Sequence, residues 1–150
     1  ETDADFADTV DLLRRLDPAW VHTFTFSPRP GTPAFDMKPR VPAIAVVERA
    51  AVIQAMARDG KARFAGRRVG TMVRAVADAS EPHDAHDADT IGGADAAGSV
   101  IATTADYLKV VVRGVPAGYR GEFACLVESP SVAESDDAGA DLIAHFVGQD

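Results

Sequence analysis

The sequence predicts two architectures in one chain. An α/β segment of the kind that builds parallel βα barrels covers residues 1–64, and a small β-barrel covers residues 65–128. Three observations predict this. A helical stretch, an aromatic and β-branched run, and a second helical stretch follow one another, which is the helix–strand–helix order of a barrel repeat. From Gly66 onward, short β-branched runs alternate with glycine-containing turns, as in a small barrel. Two helices and one strand are too few to close a core, so the inward faces of residues 1–64 would stand exposed without further chain.

Thr2 is placed to cap the first helix, with Asp3 and Asp5 in a first turn where the helix dipole favours negative charge. Phe6, Val10, Leu13 and Leu16 repeat at helical spacing, and Asp17-Pro18 ends the pattern. Residues 20–26 alternate Trp20, His22, Phe24 and Phe26 against Val21, Thr23 and Thr25, which predicts a strand. Five of the nine prolines then fall in 27–42, giving a loop that loses little entropy when it orders. In a parallel βα barrel this loop would lie on the active face. Pro42 suits the first position of a second helix, whose apolar face reads Ile44, Val47, Ala51, Val52, Ala55 and Met56. Gly60 weakens that helix by about 1 kcal/mol without stopping it before Phe64.

Strands are predicted at 68–76, 98–104, 107–113 and 121–128. The alanine-, aspartate- and glycine-rich stretch 78–97 cannot bury enough apolar surface to order and is expected to be a disordered insertion. Residues 129–150 read as a flexible linker followed by a short apolar cap, DLIAHFV (141–147), whose type the pattern does not decide.

The net charge of −8 is uneven. Residues 1–64 balance nine basic against nine acidic groups, and residues 129–150 hold five acids and no base. Six of the nine acids in 65–128 sit in 78–95, so the rest of that module carries a local positive excess able to meet RNA. Its cationic and aromatic residues are Arg67, Arg68, Arg74, Tyr107, Lys109, Arg113, Tyr119 and Arg120. Small barrels bind nucleic acid with this combination of charge and stacking rings. Lys109, Val111 and Arg113 share one side of a strand, with Tyr107 in phase. A merely solvated strand face fits the same pattern.

Other chemistries are absent. No Ser/His/Asp set, phosphate loop or dinucleotide fingerprint occurs, and no apolar run approaches the roughly 18 residues of a membrane span. His22 reads as a packed strand histidine. His83 and His86 have metal-like spacing but no second ligand group. The single cysteine, Cys125, reads as a small buried hydrophobe and fits a reducing, cytoplasmic setting. The first residue is not Met and a helix begins at once, so the chain is expected to be a piece of a longer protein.

Glu1-Thr2, Val21-His22, FSPRPGTPAFDM (26–37) and Val41-Pro42 resemble the C-terminal part of radical-SAM tRNA methylthiotransferases. TTADYLKVVVRG (103–114) and Gly121 resemble the terminal TRAM domain of that family, and its subgroup acting on N6-threonylcarbamoyladenosine at position 37 of tRNA. The resemblance implies the terminal βα segment of a radical-SAM barrel followed by a TRAM/OB-like barrel, with the tRNA anticodon stem-loop as partner and neither DNA nor membrane. It implies S-adenosylmethionine and two [4Fe–4S] clusters in the full-length enzyme. One S-adenosylmethionine there supplies a methyl group, another is cleaved to a radical that takes hydrogen from C2 of the adenine, and sulfur comes through the auxiliary cluster. The cluster cysteines are expected upstream, in the missing N-terminal part of the same protein. This portion would hold no catalytic residue or metal and would be inactive alone.

Glu1 and Thr2 resemble the end of a Gly-Phe-Pro-Gly-Glu-Thr turn near the cofactor, and the resemblance implies that Phe26 and Ser27 lie against its adenine. Phe26 equally fits core packing. Arg29 fits either a ligand contact or a clamp within its own loop, while Gly31 and Thr32 set the loop's shape. Asp106 departs from the family's Asn and adds a negative charge to the RNA face. Two alternatives stand beside this reading: a non-catalytic TRAM-type RNA-binding module, and methylthiotransfer to a ribosomal-protein aspartate.

Overall fold

The computed structural model describes residues 1–77, 98–116, 119, 121–131 and 140–148. They fall into two compact units, 1–64 and 65–150. The expected insertion 78–97, with His83 and His86, lies outside the described residues, as does 132–139 of the expected linker.

In the first unit, α1 spans Asp3–Leu16, α2 is the single turn Pro33–Asp36, and α3 spans Ala43–Gly66. Thr2 caps α1 through a reciprocal box. Its hydroxyl accepts from the Asp5 N–H at 3.2 Å, and the Asp5 carboxylate accepts from the Thr2 N–H at 2.7 Å. These bonds from Thr2, the backbone one foremost, hold the Asp5 carboxyl below its ordinary range. Asp17 closes α1 in the left-handed region, φ 43, its N–H donating to the Leu13 carbonyl. α3 begins one residue beyond Pro42, whose carbonyl accepts from Val46 N–H at 3.1 Å.

Ion pairs fix the relative direction of the two long helices. Arg49, early in α3, meets Glu1 and Asp3 at 2.6 Å each, and Arg63, near its end, meets Asp17 at 2.5 Å. α1 and α3 therefore run parallel, and the chain between them must return the length of the helices. The Pro18 carbonyl lies against α3 at Gly60, where a Cβ would stand 2.3 Å from the carbonyl oxygen. Gly60 is thus a contact point and not merely a weak helix former.

Two expectations for this unit are corrected. Residues 20–29 form neither strand nor helix. A strand exists by pairing its backbone with a neighbour, and residues 1–64 supply no second one. Lys61 Nζ covers the Trp20 ring at 4.6 Å, but Phe24 and Phe26 are 87% and 65% exposed, and His22 is exposed instead of packed. The buried stripe of α3 also differs. It centres on Ile53 and Gly60, with Arg49, Met56 and Phe64 half-buried, while Ile44 and Val47 are exposed. α3 is apolar on more than one side, so its periodicity cannot choose which side packs.

In the second unit, β1 (Met72–Ala77), β2 (Val100–Thr104), β3 (Lys109–Arg113), β4 (Glu122–Pro130) and β5 (Leu142–Gly148) close a barrel in the order β1-β2-β3-β5-β4. β4 pairs back to β1, and β3 with β5 is the one parallel pair among the described strands. The arrangement is compatible with a TRAM/OB-like barrel. Ala75, Ala102, Leu108, Val110, Val112, Phe123, Cys125, Val127, Leu142 and Ala144 fill it, each 1% exposed or less. The four predicted strands form with shifted ends. Turn bonds from Arg68 N–H to Ala65 and from Thr71 N–H to Arg68 delay β1 to Met72, and β4 runs on to Pro130 through two register shifts. The apolar stretch 141–147, whose type the pattern does not decide, supplies the fifth strand.

Among the described residues no helix is long and apolar enough to cross a membrane.

Candidate functional site

The loop after residue 26 has a defined shape. The Thr32 N–H and hydroxyl both bond the Arg29 carbonyl, at 3.3 and 2.8 Å, and Gly31 sits at φ 81. This is a turn with proline at its second position and glycine at its third, where a positive φ is required. Its effect is to display Arg29. Phe26, Ser27 and Arg29 are all exposed, so three of the predicted cofactor-facing side chains are accessible on one short segment. Glu1 and Thr2 already have partners, Glu1 in Arg49 of α3 and Thr2 in the α1 cap.

On the barrel, β3 alternates as the sequence implies. Val110 and Val112 point inward, and Lys109, Val111 and Arg113 are half-buried on the outer side. Lys109 and Arg113 are therefore separated by about 13 Å along the strand. Ile101 and Ile143 flank Val111 in register, so an apolar strip crosses β2, β3 and β5 between the two cations. Lys109 Nζ donates to Thr103 Oγ1 at 2.8 Å, and its backbone N–H donates to Asp141 Oδ2 at 2.9 Å.

Several predicted RNA contacts take other partners. Arg68 Nη2 pairs with Asp106 Oδ2. Arg74 Nε donates to Glu122 Oε1 at 2.6 Å, a bond that holds the Glu122 carboxyl below its ordinary range. The pair's contribution is complete above the ordinary glutamate value and is lost as pH falls through the lowered one. The Tyr119 ring packs edge-on against Phe123 and Phe146, with centroids 5.6 Å away in each case, and its hydroxyl donates to the Glu122 carbonyl at 2.9 Å. That ring serves barrel packing before any stacking. Arg67 is exposed at the turn after α3, and Arg120 lies outside the described residues.

Tyr107 is not in phase with β3. It stands in the turn before it, at φ 63, with 76% of its surface exposed. The negative charge of Asp106, unfavourable in the sequence, is met by Arg68. Sequence reasoning missed His145, which faces outward beside Arg113 in the parallel β3–β5 register. The alternation Ile143, His145, Val147 was the available signal, but only the pairing of β5 with β3 places it beside Arg113.

An iron–sulfur cluster does not fit the cysteine present. Cys125 is fully buried on β4, its Sγ 3.7 Å from the Val73 carbonyl, and burial pushes the thiol up to about 11. No group of three metal-ligating side chains occurs among the described residues. The folded chain is expected to resist iodoacetamide at pH 8, where the buried thiol stays protonated, and to react once denatured. Mass spectrometry of the two samples checks this, and fast labelling of the native chain would contradict the burial. Because the unfolded thiol ionises near 9.0 and the folded one near 11, this group also makes stability fall as pH rises across that interval.

Over 70 residues, 47% of the chain, the sequence is 44% identical to a threonylcarbamoyladenosine tRNA methylthiotransferase of Thermotoga maritima. Over 56 residues, 37% of the chain, it is 48% identical to a tRNA-2-methylthio-N(6)-dimethylallyladenosine synthase of Frankia alni, and over 74 residues, 49% of the chain, 39% identical to the synthase of that name from Ralstonia pickettii. The chain is similar to tRNA methylthiotransferases. The match spans 16%, 11% and 16% of the length of these three relatives in turn. No protein-family model matches the chain. Relatives named for two different adenosine modifications thus match at comparable identity.

Proposed function

We propose that this chain is the C-terminal portion of a cytoplasmic radical-SAM tRNA methylthiotransferase that modifies N6-threonylcarbamoyladenosine at position 37. In this reading residues 1–64 are the last βα part of the barrel, and the β-barrel grips the anticodon stem-loop. The observation that carries it is the geometry of the first unit. Parallel α1 and α3 bracket a return segment with no strand partner and with exposed aromatic rings. That is what one βα repeat looks like without its neighbouring strands. Relatives several times the length of the match supply room for those strands and for the cluster cysteines.

S-adenosylmethionine, when bound, would supply the methyl group and the radical. The part played by this chain is positional. The Phe26 ring and Ser27 offer an apolar face and polar groups suited to a purine, and Arg29 offers a fork for a carboxylate or phosphate. In this reading the cluster cysteines belong to the rest of the protein, and the portion alone would be inactive. On the barrel, Lys109 and Arg113 set the RNA contact, which weakens as salt rises.

The threonylcarbamoyl choice rests on TTADYLKVVVRG (103–114) and on the Thermotoga relative. Nucleoside analysis of tRNA from a strain lacking the gene tests it. Loss of the 2-methylthio group from threonylcarbamoyladenosine is the expected result. Loss from the dimethylallyl nucleoside instead moves the substrate, and unchanged tRNA removes the reading in favour of a ribosomal-protein target or a non-catalytic role. The closed barrel, which needs no strand from outside, favours a self-standing RNA-binding module as the second reading.

A further inference from the structure

The turn between β2 and β3 is built around a strained residue. Only Ala105, Asp106 and Tyr107 separate Thr104 from Leu108, and Thr104 N–H bonds the Leu108 carbonyl at 3.0 Å. A three-residue hairpin loop of this kind needs its last residue in the left-handed region, where glycine is at ease. Here that residue is a tyrosine, at φ 63. A bulky side chain in this conformation is strained, and such strain concentrates where a side chain is needed for function. Burial does not explain the choice, because Tyr107 is 76% exposed.

The turn is braced on its other side. The buried Thr104 hydroxyl donates to Asp106 Oδ1 at 2.5 Å and accepts from the Leu108 N–H at 3.0 Å. The second Asp106 oxygen receives Arg68, from the turn that follows α3. Both carboxylate oxygens are therefore used, one inside the hairpin and one to a distant segment. Lys109, which follows two residues after Tyr107, brings positive charge to the same end of β3.

We infer that Tyr107 is a stacking platform for an unpaired nucleobase and that Asp106, anchored by Arg68 and Thr104, is the residue that positions it. This rests on the reading of the barrel as an RNA binder and specifies what that barrel recognises. A duplex offers its phosphates to Lys109 and Arg113 but keeps its bases stacked on one another. An RNA loop also offers an open base face, to which one aromatic ring adds a sequence-tolerant contact.

The test compares the full chain and its variants on two RNAs, a hairpin with a seven-nucleotide loop and a duplex with the same number of phosphates, at one salt concentration. Wild type is expected to prefer the hairpin. Tyr107→Gly should lose about tenfold in hairpin affinity, with no change on the duplex, while its melting temperature holds or rises because the strain is released. Tyr107→Phe should bind as wild type. Asp106→Ala should lose as much hairpin affinity as Tyr107→Gly, and the double variant should lose no more than either, the signature of one residue acting through the other. Asp106→Asn, which keeps a carbonyl for the Thr104 hydroxyl, covers the case in which Asp106→Ala does not fold, and should show a smaller loss of the same kind. If wild type binds both RNAs and Tyr107→Gly leaves the hairpin unaffected, the platform is wrong while the RNA reading stands. If Asp106 and Tyr107 losses add, the positioning role is wrong. Binding to neither RNA overturns both.

Discussion

Gly60→Ala is expected to lower the melting temperature of the helical unit by about 10 °C, corresponding to roughly 2 kcal/mol at the size of that unit. Helix propensity alone argues for the opposite sign, since alanine inside a helix is favoured over glycine by about 1 kcal/mol. The close approach decides. An alanine Cβ would lie 2.3 Å from the Pro18 carbonyl oxygen, an atom of the backbone that cannot rotate away. Relief requires moving the turn at Asp17-Pro18 off α3, and Asp17 is also held by Arg63, through Nε at 3.0 Å and Nη2 at 2.5 Å. Overpacking of this kind typically costs about 1–3 kcal/mol, and a 2.3 Å approach to backbone belongs at the upper end, so about 2 kcal/mol remains after the propensity gain is subtracted. Thermal denaturation followed by circular dichroism in the helical band measures it. A raised melting temperature would mean that α1 and α3 do not meet at this point.

The double reversal Lys109→Glu/Arg113→Glu is expected to weaken tRNA binding about tenfold and to reduce the salt slope by roughly 1 for each phosphate that is no longer neutralised. Both residues are on the outer side of β3, with Val110 and Val112 holding the strand in the core, so the barrel should remain folded. Reversal is a stronger test than truncation because each site then repels the phosphates it had attracted. Filter binding at a series of salt concentrations, with circular dichroism as the folding control, gives both quantities. An unchanged affinity and slope would discard this face as the RNA-binding surface.

Much of the barrel was legible because β3 obeys a local rule. Three valines at 110–112 are flanked by Lys109 and Arg113, and alternation puts both cations on the side opposite the buried pair. The N-cap at Thr2 and the loop-shaping role of Gly31 and Thr32 were equally readable, because their bonds span three residues. The strand at 20–26 failed for the reverse reason: its residues prefer extended backbone, but a ladder needs a second strand. The Arg68–Asp106 pair joins residues 38 apart, and from the sequence each looked like an independent charge, one useful and one harmful to RNA binding.

The sequence by itself determined where α1 starts and stops, which residues of β3 face out, and that no cysteine set for a cluster lies in these 150 residues. These follow from hydrogen bonds, sterics and composition acting within a few residues. Only the tertiary structure decided that β5 inserts between β3 and β4 and runs parallel to β3, which side of α3 is buried, and that Asp106 is neutralised while Tyr107 stands out in water. Strand order and helix facing are set by which distant surfaces exclude water together, and a periodic pattern records a surface without recording its mate.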